Sequence, residues 1–89
     1  MDIIYTAEFI RLFKKLPVEI KKEALKKEVI FKRNPFDAKL KIHKLGGKLE
    51  GCWAFSISYS HRIICEFSSN KVVYFHSIGK HDIYKYFFI

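Results

Sequence analysis

The side chains best equipped for chemistry in this chain are four histidines, His43, His61, His76 and His81, and an arginine, Arg62, directly after His61. Imidazole is the side chain whose charge changes near neutral pH, so each histidine is a candidate proton donor or acceptor. A guanidinium never loses its charge, and its planar fork matches two oxygens of a phosphate. The histidines show no paired ligand spacing, which argues against a zinc site. Ser56 and Ser58 have no base in their own local motif, so a serine nucleophile is not expected. Cys52 and Cys65 form no CxxC pair and read as small core residues, with no disulfide expected.

Arg62 draws its interest from the stretch that carries it, Gly51 to Phe67. Trp53, Phe55 and Ile57 alternate with Ala54, Ser56 and Ser58, the period of a half-buried strand. Tyr59-Ser60-His61 interrupts the run, and Ile63, Cys65 and Phe67 resume it on a second strand. Folded back as a hairpin, the stretch pairs Trp53 with Phe67, Phe55 with Cys65 and Ile57 with Ile63, giving one core face. The opposite face then carries Ala54, Ser56, Ser58, Arg62, Ile64 and Glu66. An arginine opposite two serines, with a histidine at the turn, is not core architecture and marks a candidate site. Arg62 has a rival role as partner of Glu66 across the face. His61 reads equally as a substrate contact or a turn residue, and His76, inside an apolar strand, as a core or partner-contact residue.

The remaining elements must position this hairpin. Asp2 to Tyr5 reads as a first strand, and Thr6 as the cap of a helix with Phe9, Leu12, Phe13 and Leu16 on one side. Leu16-Pro17 breaks that helix and starts another, from about Pro17 to Lys32, with Ile20, Ala24, Leu25 and Phe31 on its inward stripe. Asn34-Pro35 ends it. From Phe36 to Leu49 the pattern allows a short helix, an edge strand or an ordered loop, with a turn at Gly46-Gly47. After a turn at 68–71, Val72 to Ile78 is too uniformly apolar for a one-sided edge and reads as a central strand. The order β-α-α-short element-β-β-β predicts a single α+β domain over 1–89. In it a basic helical hairpin packs on one face of a mainly antiparallel sheet.

Composition narrows the function. A net charge of +8 on 89 residues points to a polyanionic partner: nucleic acid, a membrane surface or an acidic protein. The basic excess is spread over both halves of the chain and is not confined to a tail. With 49% apolar and 17% aromatic residues, disorder is not expected. No apolar run approaches a membrane span and the first residues do not resemble a signal peptide, so a cytoplasmic protein is expected.

Several segments together resemble the RelE/ParE superfamily of type II toxin–antitoxin toxins, and most nearly its RelE/YafQ/YoeB branch of mRNA interferases. They are Phe13-Lys-Lys-Leu16, Asn34-Pro35, the run from Leu40 to Gly51, Trp53, His61-Arg-Ile-Ile64 and Ile78-Gly-Lys-His-Asp-Ile-Tyr84, in the family's order and spacing. The resemblance implies a RelE-like fold with a curved sheet, and ribosome-dependent cleavage of mRNA in the A site without metal or other cofactor. It also implies an antitoxin that wraps and neutralises the toxin. His43 and His81 match histidines of the YafQ pattern, Arg62 the arginine of RelE and YoeB, and Tyr84 a nearby aromatic residue. The sequence departs from that pattern at Ser56, where YafQ-like chains carry a further histidine.

Cleavage without metal uses the 2′-hydroxyl as nucleophile and needs a base, an acid for the 5′-oxygen, and positive charge on the phosphorane oxygens. The resemblance therefore assigns His43 and His81 to proton transfer, Arg62 to the phosphate and Tyr84 to the base. Lys41, Lys44, Lys48 and His61 are candidate RNA or phosphate contacts. An acidic antitoxin is the expected partner, beside ribosome and mRNA. The alternatives are a ParE-like gyrase inhibitor and a non-catalytic RNA-binding protein of the same fold.

Overall fold

The structure, a computed structural model, describes residues 1–80, 82 and 83. Strand β1 (Asp2–Tyr5) leads into helix α1 (Ala7–Lys14) and helix α2 (Val18–Arg33). Strands β2 (His43–Lys44), β3 (Trp53–Ser56), β4 (His61–Phe67) and β5 (Val72–Lys80) follow. They form one five-stranded sheet in the order β1-β5-β4-β3-β2. All pairs are antiparallel except β1 with β5. The expected helical hairpin on a mainly antiparallel sheet is therefore the observed architecture. No helix among the described residues is long and apolar enough to cross a membrane.

Local chemistry explains the boundaries. Thr6 closes β1 and caps α1, its hydroxyl accepting from the Phe9 amide at 3.1 Å. The same hydroxyl lies 3.2 and 3.0 Å from the carbonyls of Phe75 and His76, so one residue fastens the helix start to β5. Pro17 precedes α2, and Asn34 ends it in an extended conformation ahead of Pro35. The uncertain 36–49 stretch contains a 3-10 turn at Ala38–Leu40, the two-residue edge strand β2 and a second 3-10 turn at Gly47–Leu49.

Three expectations need correction. Leu25 does not belong to the inward stripe of α2: it is 55% exposed, whereas Ala24 and Phe31 are buried. At about 100° per residue the face that carries Ala24 and Phe31 continues through Lys27, not Leu25. The Lys27 ammonium extends to the Ile57 carbonyl at 3.4 Å.

The hairpin register also differs by two residues. Trp53 pairs with Cys65, Phe55 with Ile63 and Ser56 with Arg62. The turn lies at Ser58-Tyr59-Ser60, closed by the Ile57 amide on the His61 carbonyl at 3.0 Å. The Ser58 hydroxyl accepts from the amides of Ser60 and His61, and this local bonding sets the turn one position earlier in the chain. A slip of two preserves side-chain alternation, so the core face survives the error.

The far face, third, is less open than expected. Ala54 and Ile64 are fully buried. Ile64 clusters with Leu49, Cys52 and Ile83, against which Leu45 packs. Gly79 permits this cover, because a Cβ there would lie 2.2 Å from the Ile83 side chain.

The main core lies between the sheet and the helices. Phe31 of α2 is fully buried, stacked on Phe55 at 4.8 Å and edge-on to Phe75 at 5.2 Å. Phe31→Ala is expected to lower unfolding free energy by about 3–5 kcal/mol. Leu25→Ala is expected to cost less than about 1 kcal/mol. Urea denaturation of both variants checks the assignment of the stripe.

Candidate functional site

Because β4 alternates, consecutive residues serve opposite sides of the sheet. Ile63 and Cys65 face the helices, and Arg62, Ile64 and Glu66 face away. Pairing extends this second face across the sheet. Ser56, Arg62 and Gly79 form one row, and His43, Ala54, Ile64 and Ser77 form the next. The small Ser56 leaves space beside Arg62 on one flank, while the Ile83 side chain lies against Gly79 on the other. Strand spacing puts the His43 and Arg62 Cα atoms about 10–12 Å apart on this face. Arg62 is half-buried, while His43 is exposed at the sheet edge, its Nδ1 3.3 Å from the Lys41 carbonyl.

The other candidates are distributed differently. Lys44 pairs with Trp53 and lies over its ring at 5.5 Å, on the side away from His43 and Arg62. Lys41 is exposed, with a left-handed backbone (φ 51°), and Lys48 is exposed on the 3-10 turn. His61 is 7% exposed and is not brought together with Arg62; its Nδ1 is 2.7 Å from the Ser60 hydroxyl. Burial, with the neighbouring Lys80 charge, holds the His61 imidazole below its usual range. His81 and Tyr84 lie outside the described residues.

A third row on the same face was not anticipated. Glu66 does not pair with Arg62: its carboxylate is 2.8 Å from His76 Nε2. Pairing explains the choice. Glu66 sits opposite Tyr74, and the register then skips from Cys65–Phe75 to Ile64–Ser77, leaving His76 as an extra residue in a bulge. Tyr74 and His76 rings stack at 5.9 Å. Cys52 completes the row, its donor atom and those of Glu66 and His76 all within 4.8 Å of one another. Burial, reinforced by the Glu66 carboxylate, pushes the Cys52 thiol up. Both cysteines are free thiols. The observed hairpin register would have placed Cys52 beside Glu66; nothing in the sequence signals the bulge that adds His76.

Comparison with known proteins bears on this arrangement through the fold. No protein-family profile matches the chain, and no curated protein matches it. Solved structures do. A YoeB/ParE toxin from Agrobacterium tumefaciens superposes with a TM-score of 0.77 at 19% identity, covering 91% of this chain and 99% of that one. YafQ from E. coli strain BL21(DE3) gives 0.68 at 21% identity, over 90% and 92% of the two chains. A YoeB–YefM complex from Staphylococcus aureus gives 0.74 at 18% identity, over 91% and 97%. The chain thus has the fold of the YoeB and YafQ toxins along nearly its whole length.

His61 provides a test of the local electrostatics. Its folded-state pKa lies below the ordinary imidazole value, so the folded protein binds fewer protons than the unfolded chain between those two values. Its contribution is intact above about pH 6.5 and falls as pH drops toward the lowered value. Urea midpoints measured from pH 8 to pH 5 should therefore decline more steeply for the parent than for His61→Asn.

Proposed function

We propose that this chain is the toxin of a type II toxin–antitoxin system, a metal-independent endoribonuclease that cuts mRNA in the ribosomal A site and arrests growth. The observation that carries the reading is Arg62, on the sheet face away from the helices, in a chain that shares its fold with YafQ and YoeB toxins. The net charge of +8 suits ribosomal RNA and messenger backbones alike.

In the proposed reaction a base takes the proton of the 2′-hydroxyl, whose oxygen attacks the adjacent phosphorus. The bond from phosphorus to the 5′-oxygen breaks, an acid protonates that oxygen, and a 2′,3′-cyclic phosphate remains. Arg62 holds the phosphate and neutralises charge on the equatorial oxygens as it grows. His43 and His81 divide the two proton transfers, and Tyr84 stacks on or orients a base. Lys41, Lys44, Lys48 and His61 are proposed as RNA contacts, with Lys44 and His61 engaging from outside the Arg62 face.

The proposed neutralising partner is an acidic antitoxin, as YefM accompanies YoeB in the Staphylococcus aureus complex. Charge complementarity supports it. So do the exposed apolar residues Ile10, Leu25 and Val29 on the helices, which suit an amphipathic segment.

Induction in cells followed by sequencing of RNA 5′ ends tests target and reaction together. The parent should arrest growth and produce new ends within translated codons. Arg62→Ala should reduce cleavage about 10²–10³-fold, with Arg62→Lys intermediate. His81→Ala should reduce it by a similar order. Intact messenger with loss of gyrase supercoiling would instead select the ParE-like alternative, and intact messenger with tight RNA binding the non-catalytic one.

A further inference from the structure

We propose that Cys52, Glu66 and His76 form a binding site for a single zinc-class divalent cation, with solvent as the fourth ligand. The inference does not depend on the proposed nuclease activity. It begins with topology: three adjacent strands or strand ends each deliver one donor to the same face. Cys52 immediately precedes β3, and continuing the Trp53–Cys65 pairing by one position sets it opposite Glu66. Glu66 is paired with Tyr74, and His76 lies on that residue's side of β5, its ring stacked on the tyrosine. The bulge keeps the His76 imidazole beside Glu66 while Phe75 and Ile78 remain in the helix-side core.

The donor set then selects the ion. A thiolate, an imidazole and a carboxylate are the three ligand types that zinc accepts, whereas magnesium and calcium take oxygen ligands. A thiolate and a carboxylate together balance the charge of a divalent cation with neutral imidazole. In a tetrahedral site, ligand atoms stand roughly 3.3–3.8 Å apart. The three donor atoms lie within 4.8 Å of one another, and the His76–Glu66 pair is at 2.8 Å. A cation entering between them takes the place of that hydrogen bond, the neutral imidazole binding through Nε2 with its one proton on Nδ1. The Cys52 thiol gives its proton to solvent and is drawn inward as thiolate. The movements are adjustments of side-chain torsions. Access is open on one side, since the Glu66 side chain is 47% exposed and that of His76 is 23% exposed. Cys65 is fully buried in the helix-side core and does not compete.

The rival description is a histidine–carboxylate hydrogen bond beside an inert thiol, and cobalt(II) separates the two. Titration of the full chain with Co²⁺ should produce a near-ultraviolet thiolate charge-transfer band and visible bands of a four-coordinate ion. Both should saturate at one equivalent and be displaced by Zn²⁺. Cys52→Ser should abolish the charge-transfer band, and His76→Gln should weaken Co²⁺ binding about tenfold or more. No saturable band, or a band that survives Cys52→Ser, overturns the proposal. Should circular dichroism show that Cys52→Ser is unfolded, His76→Gln decides alone: unchanged Co²⁺ affinity overturns the site.

Discussion

The structure depends on a single aromatic anchorage, Phe31 of α2 set against Phe55 and Phe75 of the sheet. Aromatic rings bury a large apolar area for few torsions, so one well-placed ring does much to fix the angle of a helix on a sheet. Phe9 and Phe13 of α1 extend the same cluster, stacked at 6.1 Å, and Phe9 meets Phe75 at 5.6 Å. With both helices committed to one side, the other side of β3, β4 and β5 is left for polar residues. The division of labour between the faces follows from where the phenylalanines go.

That second face is partly roofed. Ile64, Leu49, Cys52 and Ile83 form a small apolar island within it. Arg62 lies to one side of the island and the Glu66–His76 pair to the other. Such a patch orders the surface without closing it, and it separates a cationic region from one holding a carboxylate and an imidazole. Two chemically different sets of groups therefore share one sheet.

The fold was largely legible because its signals are short-range. Thr6 and Pro17 mark the helix starts, Asn34-Pro35 marks a helix end, and the largely apolar run from Val72 identifies a strand in the interior of the sheet, between β1 and β4. Arg62 was legible from alternation alone, since parity places it opposite to Ile63. The parts that were not legible depend on long-range or non-periodic facts. Alternation cannot distinguish the observed hairpin register from one slipped by two, and the serine side chains that fix the turn leave no periodic trace. The cover over Ile64 comes from residues as distant as Leu45 and Ile83. The Cys52–Glu66–His76 grouping leaves no spacing signature along the chain, because these residues meet only across strands.

The bulge at His76 makes residue number itself a structural quantity. Before it the odd positions Val73 and Phe75 enter the helix-side core; after it the even position Ile78 does. The two halves of β5 thus run in opposite phase, joined by one uncounted residue. A deletion of one residue there would close the bulge and restore plain alternation, leaving Phe75 and Ile78 both in the core and removing only a side chain from the opposite face. The added residue thus costs the core nothing and gives the outward face one more side chain, His76, beside Glu66.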